Sequence, residues 1–192
     1  MPPRLTLLIL LTAAIALLLS PSLISISDTV STEIKATPTY VRDKSLEYTF
    51  VRGALIRGSI PLDAMILKRN EHTFGPIHAL RNEVLQIEIP GSGVLRSAKV
   101  LRNREKDFAY REEVQYGMWI LHTIRFVEVE KRVTRLEYEK RWKGSAMAYG
   151  LGKMGFLESA GSETVGTLEG LGQEIEEAYA EEKEKWGNSR YE

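Results

Sequence analysis

The sequence predicts an α+β domain: an antiparallel curved sheet wrapped around a long C-terminal helix, preceded by an N-terminal hydrophobic segment. Three observations predict it. Apolar residues recur at every second position in several short stretches between residues 30 and 144, the period of half-buried strands. The connections between those stretches are short, which suits antiparallel neighbours and excludes crossover helices. Near Gly155 the period changes, and Val165, Leu168, Leu171, Ile175 and Tyr179 recur at three and four residues, the apolar stripe of a helix.

The first strand is the clearest of the early elements. Val30, Thr32 and Ile34 alternate with Ser31, Glu33 and Lys35, and Pro38 ends the run. Residues 39–80 are irregular: "YVRDKSLEYTFVRG" suits a short helix or a strand, and Pro61, Gly75 and Pro76 interrupt the rest of the stretch. Leu85, Ile87 and Ile89 then alternate against Gln86 and Glu88, and "PGSG" marks a turn. Two strands flank the charged bend "NREKD", and two more flank Glu130-Lys131-Arg132 within "GMWILHTIRFVEVEKRVTRLEYEKRW". In the helix, Glu174, Glu176, Glu177, Glu181 and Glu182 load the polar face, and Lys183 and Lys185 suit the negative end of the helix dipole. Gly166, Gly170 and Gly172 each cost about 1 kcal/mol relative to alanine in a helix. They point to close approach to a sheet or ligand, or to a frayed first half.

The front of the chain has a different character. Arg4 is followed by an uncharged run from Leu5 to Ile26. That run fits either a cleaved signal peptide, with Ser25 and Ser27 as small residues before the cut, or a signal anchor, since about 20 apolar residues span a bilayer. The expected division is residues 1–27 as signal peptide or anchor, 28–186 as the folded domain and 187–192 as a loose tail, with the protein secreted or membrane-anchored through residues 5–26. Lys+Arg and Asp+Glu are both 26. With no basic surplus, a nucleic-acid partner bound through phosphate neutralisation is excluded. The absence of cysteine excludes disulfides and thiolate chemistry.

Four stretches together resemble the START-like superfamily, whose helix-grip fold includes polyketide cyclase/dehydrase proteins and lipid-transfer domains. "VSTEIKATPTYV" resembles its first strand, with Ala36, a proline and Val41 after the alternation. "EKDFAYREEV" resembles a central strand. "HTIRFVEVEKRVTRLEYEKRWKG" resembles the last two, with Thr134 opening the final strand and Gly144 ending it, and "VGTLEGLGQEIEEAY" resembles the closing helix. The chain departs from the family in residues 39–80, which hold no tryptophan where members carry one. The resemblance implies a hydrophobic small molecule held between sheet and helix, with no cofactor.

His122 shares a strand face with Ile120, Ile124 and Phe126. It is either a general base of a proton-moving enzyme, with Tyr110 and Tyr138 as further catalytic groups, or a hydrogen-bonded packing residue. Phe108, Ile120, Ile124, Phe126, Trp142, Leu168, Leu171 and Ile175 are the expected ligand-binding wall, and the glycines of the helix are expected to leave volume there, so that Gly172→Leu would weaken binding more than folding. Of Glu112 and Glu113 only one can point inward, and a solvated face is the simpler reading of both. Arg135, Glu137, Glu139 and Arg141 describe the solvent side of their strand. His72 and His78 in "HTFGPIH" lack a third ligand at metal spacing, so no metal is expected. The glycines of "YGLGKMG" lack the strand-to-helix context of a phosphate loop. Three functions fit: an enzyme of the cyclase/dehydrase kind, a non-catalytic carrier of a lipid or hydrophobic metabolite at a membrane, or a structural or interaction role, which the unusual residues 39–80 favour.

Overall fold

The computed structural model describes residues 9–16, 20, 24–47, 64–69, 72–88, 95–113, 119–145 and 161–186. Eight strands form one antiparallel sheet. They are β1 (Ile24–Ile34), β2 (Ala64–Arg69), β3 (His72–Phe74), β4 (Val84–Glu88), β5 (Leu95–Asn103), β6 (Asp107–Glu113), β7 (Trp119–Glu130) and β8 (Val133–Gly144). The spatial order is β1-β8-β7-β6-β5-β4-β2-β3. Strands β4 to β8 are the predicted meander, and β1, first in sequence, pairs with the last strand. Helix α1 (Pro38–Leu46) follows β1, and α2 (Gly161–Trp186) follows β8.

The irregular stretch resolves into α1, β2, β3 and a 3-10 turn over Pro76–His78. Pro38 sits at the start of α1, where its missing N–H costs nothing, so the proline that ends β1 also begins a helix. Two more strands than the alternation indicated therefore extend the β4 edge. The first strand also begins earlier than Asp28: Ile24 pairs with Gly144, Ser25 with Lys143 and Ser27 with Arg141. Ile89, "PGSG", "YGLGKMG", the side chain of Val165 and residues 187–192 lie outside the described residues. Residues 9–16 are helical, with Ile9, Leu10, Leu11 and Ile15 exposed. Among the described residues no helix is long and apolar enough to cross a membrane.

The core lies between the inner face of the sheet and the two helices. Ile34, Val100, Phe108, Ile124, Phe126 and Leu136 from the strands pack in one buried cluster with Tyr40, Val41 and Leu46 of α1 and Leu168, Leu171, Ile175 and Tyr179 of α2. The predicted stripe of α2 is thus its buried face. The acidic face does more than meet water. Glu176 Oε1 accepts the Lys35 backbone N–H at 2.7 Å, and Glu182 pairs with Lys44 at 2.8 Å. Burial alone would lower the Lys44 amine, but the hydrogen bond and charge of Glu182, aided by Glu47, outweigh it and hold Lys44 above its ordinary range. The rings of Tyr40 and Tyr179 meet between these contacts, 4.8 Å apart.

Two polar links fix the corner where β1 turns into α1. Thr134 Oγ1, fully buried, donates to the Ala36 carbonyl at 2.8 Å. Arg42 of α1 donates to Asn103 Oδ1 at 2.7 Å, and Asn103 Nδ2 donates to the Ala79 carbonyl at 2.8 Å, stitching α1 to β5 and the 3-10 turn. Thr134→Val keeps the side-chain shape but leaves a buried carbonyl short of a donor. It is expected to cost about 1–3 kcal/mol, read as a lower urea midpoint with an unchanged slope.

At the tip of the β7–β8 hairpin the pairing shifts between Glu128 and Glu130, and Arg132 takes a positive φ of 67°. A residue without a Cβ adopts that conformation more easily, so the charged bend is a turn closed at some backbone cost.

Candidate functional site

Period two carries the site. Across the inner face, Tyr110 of β6 stands opposite His122 of β7, and His122 stands opposite Lys140 of β8. One layer toward the Ile24 end come Glu112, Ile120, Trp142 and Ile26, again in register. One layer toward the Ile34 end come Phe108, Ile124, Tyr138 and Val30. The middle layer is therefore polar, and Glu112 stands in an otherwise apolar layer beside it.

His122 is the centre of this arrangement and is buried. Its Nδ1 lies 2.6 Å from the Tyr138 hydroxyl, and its Nε2 lies 3.3 Å from Glu112 Oε2. Tyr110 stacks on the imidazole, ring centroids 4.4 Å apart and planes within 5°. With the proton on Nε2, Nδ1 is an acceptor and the Tyr138 O–H donates to it, while the approach of Nε2 to Glu112 is a charge contact without hydrogen-bond alignment. Glu112, His122 and Tyr138 are thus linked in one buried chain of contacts, and Tyr110 holds the ring in its middle. Such a chain brings a carboxylate, an imidazole and a hydroxyl within reach of one another for proton exchange.

The three residues expected to be catalytic are thus brought together. Among the expected ligand-binding residues, Phe108, Ile124, Phe126, Leu168, Leu171 and Ile175 belong to the buried core cluster. Ile120 is buried beside Glu112's layer, and Trp142 is half-buried there with Lys140 Nζ 4.8 Å from its ring. The helix glycine Gly172 does not open onto spare volume: a Cβ built on it would meet Ile34 Cγ1 and Thr32 Cγ2, each at 3.4 Å. The expectation that Gly172 borders ligand space is corrected, because this glycine marks the closest approach of α2 to β1.

Glu112 is the residue that sequence reasoning undervalued. It is only 2% exposed, whereas Glu113 faces solvent. The signal was available: Phe108 and Tyr110 were both placed inward, and the next residue on that face is Glu112. Lys140 follows by the same rule from Tyr138 and Trp142.

The outer face is charged, as expected. Arg125 donates to Glu139 Oε2 at 2.7 Å, Arg141 donates to Glu139 Oε1, and Arg135 reaches Glu33 at 3.0 Å. Burial pushes the Glu139 carboxyl up, but the hydrogen bonds and charges of Arg141 and Arg125 together outweigh it and hold it below the usual carboxylate range. A folded-state value below the unfolded one means stability that is present at neutral pH and lost as pH falls through the depressed value. The stability difference between the native chain and Glu139→Gln is therefore expected to shrink between pH 7 and pH 3, in urea unfolding series at each pH. A groove of about 280 Å³ on this face is lined by Val84, Ser97, Lys99, Arg111 and Glu113, on the side of the sheet away from His122.

His72 and His78 flank Phe74, with ring centroids 6.4 and 5.8 Å from it. No group of three metal-ligating side chains occurs among the described residues.

No family model and no curated protein matches the chain. Solved structures do. A point mutant of norcoclaurine synthase from Thalictrum flavum, in complex with a transition-state analogue, superposes with a TM-score of 0.54 at 12% identity, covering 83% of this chain and 97% of that one. The same plant's enzyme in complex with dopamine and hydroxybenzaldehyde gives 0.52 at 10% identity, covering 82% and 88%. A protein from Mesorhizobium loti gives 0.52 at 16% identity, covering 79% and 98%. At such identities the likeness concerns architecture. The element order, the β1–β8 closure and the long final helix, together with these superpositions, make this a helix-grip fold.

Proposed function

We propose that the chain binds a hydrophobic small molecule against the inner face of the sheet and moves a proton on it through Glu112, His122 and Tyr138. One observation carries the reading: the buried chain of Glu112, His122 and Tyr138. For stability alone such a buried pair is no better than apolar residues of the same volume. Buried acids and bases in mutual contact gather where chemistry is done. The reaction class that fits is the proton shift beside a carbonyl that drives cyclisation or dehydration, as in polyketide cyclase/dehydrase proteins. The carbon-bound proton goes to the Glu112 carboxylate, and the Tyr138 O–H turns from His122 Nδ1 to donate to the carbonyl oxygen as it gains charge. The solved neighbour holding dopamine and hydroxybenzaldehyde supports the view that this fold takes small ligands of that size.

The test is mass spectrometry of small molecules that co-purify with the full chain, compared with the Glu112→Leu/His122→Phe double variant. A carbonyl compound retained by the native chain and lost from the variant supports the reading. Identical extracts from both would sink it.

A carrier of a lipid or hydrophobic metabolite at a membrane is the second reading. The exposed Ile9, Leu10, Leu11 and Ile15 favour it. In this reading residues 5–26 stay attached, with those before Ile24 as an anchor in the secretory pathway and Ile24–Ile26 within β1. Cleavage after Ser27 would strip Ile24–Ser27 from their pairing with β8, which supports retention over removal. Intact-mass measurement of the mature chain checks this: retention of residues 1–27 is the expected result.

A further inference from the structure

The two ends of the sheet differ in chemistry. At the Ile34 end the connections are charged: "NREKD" joins β5 to β6, and Glu130-Lys131-Arg132 joins β7 to β8. At the Ile24 end the sequences that follow β4, β6 and Ser145 are "IPGSGV", "VQYGM" and "AMAYGLGKMGFLESA", with one lysine and one glutamate among them. The described residues at that end agree. Trp119 and Trp142 lie there, one on each face of the sheet, since Ser25 pairs with Lys143 and Lys143 with Trp119, while Ile26 pairs with Trp142. Each tryptophan carries a lysine: Lys143 Nζ is 5.2 Å from the Trp119 ring and Lys140 Nζ is 4.8 Å from the Trp142 ring. Ile26 is exposed beside them.

Tryptophan with lysine is the composition of a membrane–water boundary, where the ring sits at headgroup depth and the ammonium meets lipid phosphate. The same end receives the apolar N-terminal run. Between the helical residues 9–16 and Ile24 there are too few residues to span more than about 28 Å even fully extended. Whatever holds residues 9–16 therefore holds the Ile24 end close by. The Ile34 end lies about 33 Å farther along β1.

We propose that the domain docks on an anionic bilayer through the Ile24 end of its sheet, with Trp119, Trp142, Lys140, Lys143 and Ile26 as the contact and the charged Ile34 end facing water. The proposal rests on the reading of residues 5–26 as a retained anchor. It adds an orientation and a lipid charge to that reading. It also gives the site a direction: Glu112, Ile120 and Trp142 form the layer nearest this end, with His122 and Tyr110 next. A ligand arriving from the bilayer meets Trp142 and Glu112 before it reaches Tyr138.

Trp186 provides an internal control. It ends α2 beyond Glu182, which bonds Lys44 of α1, and α1 follows the Ile34 end of β1. Two full-length variants each keep one tryptophan: Trp142→Phe/Trp186→Phe keeps Trp119, and Trp119→Phe/Trp142→Phe keeps Trp186. Both are mixed with vesicles of phosphatidylglycerol and phosphatidylcholine brominated high in the acyl chain. Trp119 emission is expected to fall about twofold and Trp186 emission to stay unchanged, as depth in the interface dictates. Lys143→Gln is expected to weaken sedimentation with these vesicles about fivefold, the usual effect of one basic residue at an anionic surface. A chain left in the supernatant overturns the proposal by removing the anchor. A bound chain whose Trp119 is quenched no more than Trp186 overturns it by refuting the orientation. Neither result bears on whether a small molecule co-purifies, so the proton-transfer reading stands or falls separately.

Discussion

His122→Phe is expected to cost the fold about 3–5 kcal/mol, and most of that loss is expected to return when Glu112→Leu is added to the same chain. The reason lies in what the imidazole leaves behind. Glu112 is buried, and His122 Nε2 stands 3.3 Å from its carboxylate. A phenyl ring keeps the stack on Tyr110 but offers the carboxylate nothing, and it strips the Tyr138 hydroxyl of its 2.6 Å contact with Nδ1. Removing both charged partners trades a buried pair for apolar contact, which is neutral or favourable in comparable sites. Thermal and urea unfolding followed by circular dichroism measure both variants. If His122→Phe alone is as stable as the native chain, Glu112 and His122 do not share a proton and the site reading loses its basis. Either variant is expected to abolish proton transfer on whatever compound the native chain turns over.

Gly172→Leu is expected to destabilise the fold by about 1–3 kcal/mol, and Gly172→Ala to leave it unchanged or slightly firmer. A bare Cβ fits, since its nearest neighbours would be Ile34 Cγ1 and Thr32 Cγ2 at 3.4 Å, ordinary contact at the tight limit. Alanine also recovers about 1 kcal/mol of helix propensity. The remaining atoms of leucine would have to enter β1 itself. A loss of ligand with unchanged stability in Gly172→Leu would put ligand space back beside α2. Chemical unfolding midpoints of the three chains decide between these outcomes.

The meander was legible because its strands alternate cleanly and its bends are charged. So was α2, whose stripe Leu168, Leu171, Ile175 and Tyr179 is buried as its spacing demands. The irregular stretch was not, because β2 and β3 are short, and among the described residues β3 pairs with β2 alone. A short edge strand needs little alternation of its own. Pro38 misled in a different way, since a proline ends a strand and opens a helix with equal ease. Within the site, His122 was found by period two and Tyr110 and Tyr138 by their hydroxyls, and Glu112 was passed over because adjacent acidic residues usually mark a wet surface. What decides between them is which side of the pleat an anchor such as Tyr110 already occupies. Gly172 failed for lack of a partner: a helix sequence says that a glycine is close to something, and only the packed structure says whether that is ligand or strand.

The pairing of the first strand with the last has a kinetic consequence. The β7–β8 hairpin joins neighbours in sequence and can form alone within microseconds. β1 must wait. Its buried link to β8, from Thr134 to Ala36, spans 98 residues, and its link to α2, from Lys35 to Glu176, spans 141. Contacts of that range are slow to find, because the entropy of closing so large a loop is lost before the contact rewards it. Until β8 and α2 exist, β1 is an unpaired strand joined to an apolar leader, the kind of segment that associates with its own copies. If the leader is delivered to a bilayer first, each β1 is held at a surface, apart from other chains, while the rest of its sheet is made. In that setting the N-terminal run would act during folding as a tether that keeps the earliest strand in reserve for the latest one.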